Sequence, residues 1–290
     1  MEIGQVIKYI RTNKGITQKA LADGIGMIRT SIARIETGKQ VISSDKLTDV
    51  LDYCNVTYHE FFFIKNDYMI PSKMTEFNDA LKLYYGKKIP ELTNLKNEVN
   101  EKYEQTGDIL FRHLFILCSC LENNLDIERI NPEYIDEISD YLLSIEDWCY
   151  YELMIFNNFL WMVKPKTALL MSKKIMARAK KYKELQADNK ILCFILFNLI
   201  DICIAHGEYQ GAKPLLDTAK QYFTDQTQYF EQTLILFYEG LFNIIDGMVT
   251  EGTEKCNTAI NISRALKHDY FAEKYQKDLD KVLENRKITV

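Results

Sequence analysis

The chain has 290 residues, a length typical of two domains. Its composition, with five prolines, twelve glycines, 47% hydrophobic residues and 27% charged residues, excludes a disordered or collagen-like chain. The net charge of −5, taken alone, argues against a nucleic-acid-binding protein, because lysine and arginine supply much of the affinity for phosphate.

The amino-terminus predicts two short helices joined by a tight turn. Ile3, Ile7 and Ile10 recur at the spacing of one helix face, and Gly15 can adopt the left-handed conformation that ends such a helix. Thr17 is a favourable N-cap, so we expect the second helix to begin directly after it. These residues therefore predict the start of a small helical domain.

Two further helices complete this predicted domain. The turn over 24–26 contains two glycines and leads into a third helix over Arg29–Glu36, which Gly38 closes. A fourth helix is indicated by apolar residues at helical spacing, namely Leu47, Val50, Leu51 and Cys54. We expect three further apolar residues to close the core: Val56, Phe61 and Phe62.

Charge is distributed unevenly along the chain. Residues 1–66 contain nine Lys and Arg residues against seven Asp and Glu residues, whereas residues 67–290 contain 27 against 34. Within residues 1–42 the ratio is seven to three, so the positive charge lies in the first helices. The negative net charge therefore does not exclude nucleic acid as a partner of the amino-terminal domain.

Two segments of this domain resemble a helix-turn-helix of the lambda-repressor type: Ile-Thr-Gln-Lys-Ala-Leu-Ala at 16–22 and Ser-Ile-Ala-Arg-Ile-Glu-Thr-Gly-Lys at 31–39. In such a motif the second helix enters the major groove of DNA with its first residues against the base edges. The resemblance therefore implies base contacts from Arg29, Thr30 and Arg34, because arginine matches guanine and threonine can contact thymine.

Other residues of the motif are expected to bind phosphate or to hold the helices together. Gln18, at the start of the second helix, and Lys39 are the predicted phosphate contacts. By resemblance to the family, Arg11 and Glu36 form an ion pair between the first and third helices, and a DNA contact by Arg11 is the alternative. Ile28 departs from the pattern, since relatives usually place Ser or Thr there as the helix cap.

From residue 71 onward the hydrophobic pattern predicts helix after helix and no strand. The predicted helices cover residues 72–85, 91–105, 108–123, 132–144, 147–163, 166–183, 189–206, 209–223, 228–246, 250–267 and 269–285. Gly207 and Gly247 lie forty residues apart, and each follows a long apolar helix and precedes an amphipathic one. Together with the glycines at 211 and 252, which permit close crossing, they predict three to five degenerate tetratricopeptide-like helix pairs.

The predicted fold class is all-α. A lambda-repressor-like helix-turn-helix domain is expected over residues 1–66, a linker over 67–74 and a tetratricopeptide-like α-solenoid over 75–290. The first helices of such a stack line a concave face, and that face suits an extended peptide.

The forty-residue repeat selects a set of candidate peptide-binding residues on these first helices. They are Tyr151, Asn158, Asn198, Tyr238 and Phe242. Asn158 and Asn198 occupy equivalent places on neighbouring helices, and their amides could clamp a peptide backbone. The alternative is that both asparagines cap buried backbone groups or bind water between helices.

A second resemblance, to Rgg-type transcription regulators of Gram-positive bacteria, lies in the segment Tyr-Leu-Leu-Ser-Ile-Glu-Asp-Trp-Cys-Tyr-Tyr-Glu-Leu at 141–153 and Phe-Asn-Asn at 156–158. The segment Phe-Phe-Phe-Ile-Lys-Asn-Asp-Tyr at 61–68, the order of domains and the total length agree as well. This resemblance implies a cytoplasmic homodimeric regulator whose repeat domain binds a short hydrophobic signalling peptide and thereby changes transcription. We expect the dimer to bind inverted half-sites of double-stranded DNA.

Residues 164–183 contain eight Lys and Arg residues and no acidic residue. A solvated convex helix is one interpretation, and contact with an anionic group, either the carboxylate of the peptide or the other protomer, is the alternative. The seven cysteines lack C-x-x-C spacing and are expected to be buried and reduced. Cys54 lies on the predicted fourth helix of the amino-terminal domain, near the helix-turn-helix, where some relatives crosslink their protomers.

The sequence contains none of the common catalytic motifs, and its four histidines are scattered, so we expect neither an enzyme nor a metal or other cofactor. The most apolar stretch, Ile191–Ala205, is shorter than a membrane span, and the amino-terminus has no secretory pattern. A cytoplasmic location without membrane contact is therefore expected. The alternative function is a peptide-independent repressor whose repeat domain serves only dimerisation or binding of a protein partner.

Overall fold

The structure is a computed structural model that describes residues 1–69, 72–181 and 189–289. Within these ranges the chain forms α-helices and short 3-10 turns and no β-strand, which confirms the predicted all-α fold. The chain divides into two compact units, Met1–Leu114 and Phe115–Val290. No helix in the described ranges is long and apolar enough to span a lipid bilayer.

The first unit contains seven complete helices in its described part. They are α1 (Ile3–Asn13), α2 (Gln18–Gly24), α3 (Arg29–Glu36), α4 (Ser44–Cys54), α5 (Tyr58–Lys65), α6 (Ser72–Tyr85) and α7 (Ile89–Thr106). The first five surround one apolar core; α2 begins directly after Thr17 and α3 covers Arg29–Glu36, as the sequence predicts. Residues 70 and 71 of the predicted linker lie outside the described ranges, and the predicted domain boundaries stay a prediction.

One predicted residue of this core is wrong. Phe61 is fully buried, but its neighbour Phe62 is 43% exposed. Both residues lie on α5, where successive side chains point about 100° apart; Phe61 faces the core, and Phe62 packs edge-on against Phe61 at a distance of 5.5 Å between ring centroids. Val56 packs against the edge of the core, as expected.

The second unit is a stack of helices in consecutive pairs. Its helices are α8 (Ile109–Glu122), which begins in the first unit, α9 (Pro132–Ser144), α10 (Tyr150–Phe159), α11 (Pro165–Lys181), α12 (Asn189–Ala205), α13 (Tyr209–Tyr222), α14 (Tyr229–Ile245), α15 (Val249–Ala265) and α16 (Asp269–Thr289). Here α10 packs on α12, α11 on both α12 and α13, and α14 on both α15 and α16. This order of neighbours confirms the predicted stack of helix pairs.

The helix predicted over 147–163 is shorter than expected. α10 begins only at Tyr150, and a 3-10 turn over Leu160–Met162 follows its end. The indole N–H of Trp148 donates to the carbonyl of Leu142 at 3.0 Å. Because this bond holds the indole against the end of α9, the backbone before α10 forms an extended approach rather than a first helical turn.

The turns inside two of the helix pairs have the same geometry. Gly207 and Gly247 take left-handed backbone conformations, with φ of 72° and 110°. In each turn the N–H group after the glycine donates at 2.8 Å to the carbonyl five residues earlier, in the preceding helix. That carbonyl would otherwise lie at a helix end without a partner, which explains why both pairs use glycine at this point.

Two glycines bring α14 and α15 into close contact. A side-chain carbon added at Gly252 would lie 2.5 Å from the carbonyl oxygen of Gly240, and one added at Gly240 would lie 2.7 Å from the carbonyl oxygen of Gly252. Gly211 differs, because its nearest neighbour at 2.9 Å is a methyl group of Leu169 on α11. The predicted close crossing within a pair therefore occurs at 252, whereas 211 lies against the preceding pair.

Replacement of Gly252 by Ala is expected to lower the free energy of unfolding by about 1–3 kcal/mol, because the backbone of α14 must move away. Gly211→Ala is the matched control, since it also replaces a helical glycine but meets only flexible methyl groups. Its better helix propensity, worth about 1 kcal/mol, should leave that variant as stable as the parent or more stable. Urea unfolding measures both, and equal stability of the two variants would contradict the close crossing.

Candidate DNA interface and repeat-unit cavity

The third helix, α3, has one buried face and one polar face. Ile32 and Ile35 are 1% and 3% exposed and belong to the core of the first five helices. Arg29, Thr30 and Arg34 are exposed and share the other side of the helix. Both arginines therefore present their guanidinium groups to solvent on the helix that the sequence predicts to read base edges.

A buried ion pair sets the position of α3. Nε of Arg11 donates to Oε1 of Glu36 at 2.6 Å, and Nη2 of Arg11 donates to Oε2 at 3.0 Å. The hydrogen bond with Glu36 raises the pKa of the Arg11 guanidinium, against the opposing effect of burial. The remaining nitrogen, Nη1, donates to the carbonyl of Ile16 at 2.7 Å. The predicted pair is confirmed, and it joins α1 both to the end of α3 and to the turn before α2.

Gln18 has a partner within the protein. Its side-chain N–H donates to Oε2 of Glu36 at 2.8 Å, so the amide links the start of α2 to the end of α3. Gln18 also lines a surface depression together with Thr17, Lys19 and Arg29. The structure thus brings the starts of α2 and α3 to one surface and adds Lys19, which the sequence analysis did not single out. A phosphate contact by Gln18 stays a prediction.

The ends of α3 differ in how they are capped. Ile28 occupies the N-cap position, makes no side-chain hydrogen bond and is 69% exposed. The helix still begins at Arg29 as predicted, because its backbone closes the first turn with a bond from Ser31 to Ile28 at 3.0 Å. Beyond the other end, Gly38 has a φ of 72° and is followed by the exposed Lys39.

A cavity of about 830 Å³ lies in the second unit, between α12, α14 and α16. Its apolar lining residues are Ile204, Ala205, Leu241, Ile244, Ile245 and Val282, and its polar lining residues are Asp201, Tyr209, Lys274, Asp278, Lys281 and Asn285. α12 and α14 are the first helices of their pairs, and α16 takes the same place after α15. A volume of this size is ordinary for a ligand site in proteins.

A charged cluster forms one wall of this cavity. Nζ of Lys274 donates to Oδ2 of Asp201 at 2.7 Å and to Oδ2 of Asp278 at 3.0 Å. The hydroxyl of Tyr238 donates to Oδ1 of Asp201 at 2.5 Å. Burial raises the pKa of Asp201, although Lys274 and Tyr238 oppose this effect. For Lys274, burial acts to lower the pKa, but the two carboxylates outweigh it and raise the pKa.

Residues 93–277 match the family of the HTH-type transcriptional regulator Rgg, C-terminal domain, and residues 7–61 match a helix-turn-helix family. The first match alone covers more than half of the chain. The chain belongs to the Rgg family of transcriptional regulators.

Solved structures have the same fold along nearly the whole chain of this Rgg-family protein. The SHP pheromone receptor Rgg2 of Streptococcus dysgalactiae is 23% identical with a TM-score of 0.79, over 97% of this chain and 99% of that chain. ComR from S. thermophilus, in complex with DNA and its signalling peptide ComS, is 16% identical with a TM-score of 0.61, over the same shares. A complex of PrgX with cCF10 is 15% identical with a TM-score of 0.69, over 97% and 99%. At these identities the likeness establishes the fold.

The segment that carries the Rgg resemblance connects neighbouring helices. Glu152 is 8% exposed and accepts a hydrogen bond from the hydroxyl of Tyr141 at 2.7 Å and another from the backbone N–H of Cys149 at 2.8 Å. Trp148 is buried, and its carbonyl accepts a bond from Nη1 of Arg178 at 2.6 Å. These contacts join α9, α10 and α11, so the motif has a structural role in this Rgg-family protein.

The two candidate asparagines lie in different surroundings. Asn158 on α10 is half-buried, and its side-chain N–H donates to the carbonyl of Met154 in the same helix at 2.9 Å. Asn198 is exposed on α12, one turn before the cavity residue Asp201. The geometry of Asn158 agrees with the capping alternative, whereas Asn198 is exposed and is not among the residues that line the cavity. Peptide binding by either residue stays a prediction, as it does for the half-buried Tyr151.

The remaining two candidate peptide-binding residues, Tyr238 and Phe242, lie on α14 and belong to the core. Tyr238 is 1% exposed, stacks on Phe197 and donates to Asp201, and Phe242 is 5% exposed. Forty-residue spacing finds equivalent positions along the chain, but it does not distinguish the cavity wall from the layer behind it. Tyr238 therefore supports the wall through Asp201, and a direct peptide contact by either residue stays a prediction.

Sequence reasoning missed the charged cluster of the cavity. Asp201 was visible as a carboxylate within the most apolar stretch of the chain, which is a signal for a buried partner. That partner, Lys274, lies 73 residues further along the chain. No local pattern joins two residues at this distance, so the pair could be recognised only after α12 and α16 had been placed.

One basic residue of α11 stabilises the end of a neighbouring helix. Neither predicted role, a solvated convex helix or contact with an anionic group, included this one. Lys174 donates to the carbonyls of Leu142, Leu143 and Ile145, at the end of α9. Positive charge at a helix carboxyl end is favourable because the last carbonyls have no partners within the helix. Lysines that are exposed include Lys164, directly before α11, and Lys166, Lys173 and Lys180 on the helix. Residues 182–183, the end of the predicted basic helix, lie outside the described ranges.

Six of the seven cysteines are buried, as expected, and Cys149 is exposed. Cys54 lies in the core of the first five helices, and burial raises the pKa of its thiol. In the described part of the chain, no group of three or more His, Cys, Asp or Glu side chains is arranged to hold a metal ion.

Replacement of Glu36 by Ala is expected to lower the free energy of unfolding of the first unit by about 3–5 kcal/mol, because Arg11 would remain as an unpaired buried charge. Asp49→Ala is the control, since it breaks the solvent-exposed pair with Lys46 and should cost about 1 kcal/mol or less. Circular dichroism during urea unfolding measures both losses. If Glu36→Ala lowers the free energy of unfolding as little as Asp49→Ala does, the ion pair does not hold α3 in place.

Proposed function

We propose that this Rgg-family protein is a sequence-specific DNA-binding transcription regulator, and that a short apolar signalling peptide bound in the repeat-unit cavity controls it. One observation carries the proposal: the same chain combines an exposed polar face on α3 with a cavity lined by the first helices of a solenoid. We place the protein in the cytoplasm, where it has access to operator DNA.

The polar face of α3 supports direct reading of base edges. In the described part of the chain, neither Arg29 nor Arg34 has an ion-pair partner, so both guanidinium groups can bind guanine without breaking an internal contact. Thr30 lies between them in sequence and offers a hydroxyl and a methyl group. Gln18 and Lys39 supply phosphate contacts that fix the register of the helix in the groove.

The regulator acts as a homodimer on inverted half-sites. A single helix of this kind contacts only a few base pairs, and a two-fold symmetric protein doubles both the contacts and the positive charge at the operator. The concentration of basic residues in the first 42 positions supports this role, because the acidic remainder of the chain does not need to approach DNA.

The cavity supports an apolar peptide as the controlling ligand. Its apolar residues come from three different helices, so a bound chain would bury its side chains against all three. Asn198, exposed beside the cavity, offers both a donor and an acceptor to a peptide backbone. Among the proteins of the same fold, ComR was solved with its signalling peptide. Peptide control requires that the peptide bind one arrangement of the dimer better than another.

Replacement of Arg34 by Ala is expected to weaken operator binding by about 1–3 kcal/mol and to relax the preference at one base pair. Lys39→Ala should instead weaken binding to all DNA sequences alike. The slope of log K against log salt concentration should become shallower by the contribution of about one phosphate contact. Binding-site selection, followed by fluorescence anisotropy at several salt concentrations, distinguishes the two effects. An unchanged base preference for Arg34→Ala would refute its assignment as a base-reading residue.

Replacement of Ala205 by Trp is expected to block the cavity and to abolish the rise in Tm that a binding peptide produces. Ala205 is exposed at the cavity wall, so the larger side chain can enter the cavity without disturbing the core. Ala177→Trp on the exposed side of α11 is the matched control and should keep the full response. The measurement is thermal unfolding of the full chain with a pool of short apolar peptides; an equal response of both variants would place the peptide elsewhere.

A further inference from the structure

We infer that the repeat-unit cavity binds the amino-terminal ammonium group of its peptide at the wall formed by Asp201, Lys274 and Asp278. This inference rests on the proposed function, since it names the end of the peptide that enters the same cavity. It predicts a ligand with a free amino-terminus followed by apolar residues.

The charges of this wall carry the inference. One ammonium group, on Lys274, lies between two carboxylates at 2.7 and 3.0 Å, and the neighbouring Tyr238 hydroxyl is neutral. The cluster therefore holds one negative charge in excess. An incoming ammonium group would be attracted to it, whereas an incoming carboxylate would meet two like charges at short range.

The hydrogen bonds of the cluster leave an acceptor open. Both oxygens of Asp201 already accept bonds, Oδ1 from Tyr238 and Oδ2 from Lys274. Asp278 accepts from Lys274 through Oδ2, and in the described part of the chain its Oδ1 has no hydrogen-bond partner. The side chain of Asp278 is 29% exposed and lines the cavity. An ammonium group, which carries donors only, matches this free carboxylate oxygen.

The charged groups of the lining differ in how exposed they are, and this difference sets which end of the peptide enters the cavity first. Asp201 and Lys274 are only about one-third exposed, with side-chain values of 31% and 32%, whereas Lys281 is an exposed residue of the lining. Leu241 and Ile244 are buried and lie in the same lining, so an apolar residue that follows the ammonium group can bury its side chain there. In the part of the chain that the structure describes, Lys281 has no ion-pair partner, so we assign its positive charge to the carboxylate end of the peptide.

The test compares three chemical forms of one peptide pool on the full chain. The pool contains short synthetic peptides of leucine, isoleucine, valine, phenylalanine and glycine, prepared with free termini, with an acetylated amino-terminus or with an amidated carboxyl-terminus. Because charge-assisted hydrogen bonds are worth about 1.5–3 kcal/mol, acetylation should weaken binding at least about tenfold. Amidation should change the Kd less than acetylation does, since Lys281 is exposed. Isothermal titration calorimetry of the retained peptides measures each Kd.

Two variants locate the effect on the wall. Asp278→Asn removes the excess charge but leaves the bond between Asp201 and Lys274, so it should reduce the preference for the free amino-terminus over the acetylated form. Asp280→Asn is the matched control on the same helix; Asp280 is exposed and accepts from Gln276, and the variant should keep the preference. The Tm of each variant without peptide confirms that it is folded.

The outcomes separate this inference from the proposed function. Binding of all three forms with equal affinity, or weaker binding only after amidation, would overturn the inference and leave the peptide-binding function in place. A preference for the free amino-terminus that persists in Asp278→Asn would also overturn it. If no form binds to the parent protein, the proposed peptide-binding function fails, and the inference fails with it.

Discussion

A single buried carboxylate, that of Glu36, determines where α3 lies. Glu36 accepts two hydrogen bonds from Arg11 on α1 and one from Gln18 on α2, so three helices are joined at one side chain. The net stability that such a pair contributes is small, because both charges lose their hydration. The pair matters because it fixes the position and orientation of α3. Any other placement of this helix would leave a buried charge without a partner. It would also move the exposed Arg29 and Arg34 away from the start of α2.

The second unit is held by contacts of a different kind. α14 and α15 meet through backbone atoms at Gly240 and Gly252, where no side chain fits between the helices. Helices that approach so closely bury their apolar faces against each other and leave the first helices of the stack to line the cavity. The bond between Lys274 and Asp201 joins α16 to α12 at one wall of that cavity. A ligand that enters there meets a wall whose polar groups already hold two helices in place.

Several residues that look functional in the sequence have structural roles in the fold. Glu152 caps the start of α10, Arg178 donates to the carbonyl of Trp148 between α9 and α10, and Lys174 donates to carbonyls at the end of α9. The reason is general: a helix end that is covered by other helices must find partners for its free backbone groups within the protein. Polar and basic residues concentrated at such ends therefore support the solenoid.

Local sequence patterns predicted most of the helices, the helix-turn-helix and the turns at Gly207 and Gly247, because periodicity, N-caps and left-handed glycines act within a few neighbouring residues. Which side chains face which surface depends on tertiary packing, and local patterns did not predict it. It buried Phe61 rather than Phe62, and it placed Tyr238 behind the cavity wall. It also joined Asp201 to Lys274, since that contact depends on the packing of helices far apart in the chain. Interactions between neighbouring residues specify where helices form. The side-chain contacts between helices depend on the packing of the whole unit.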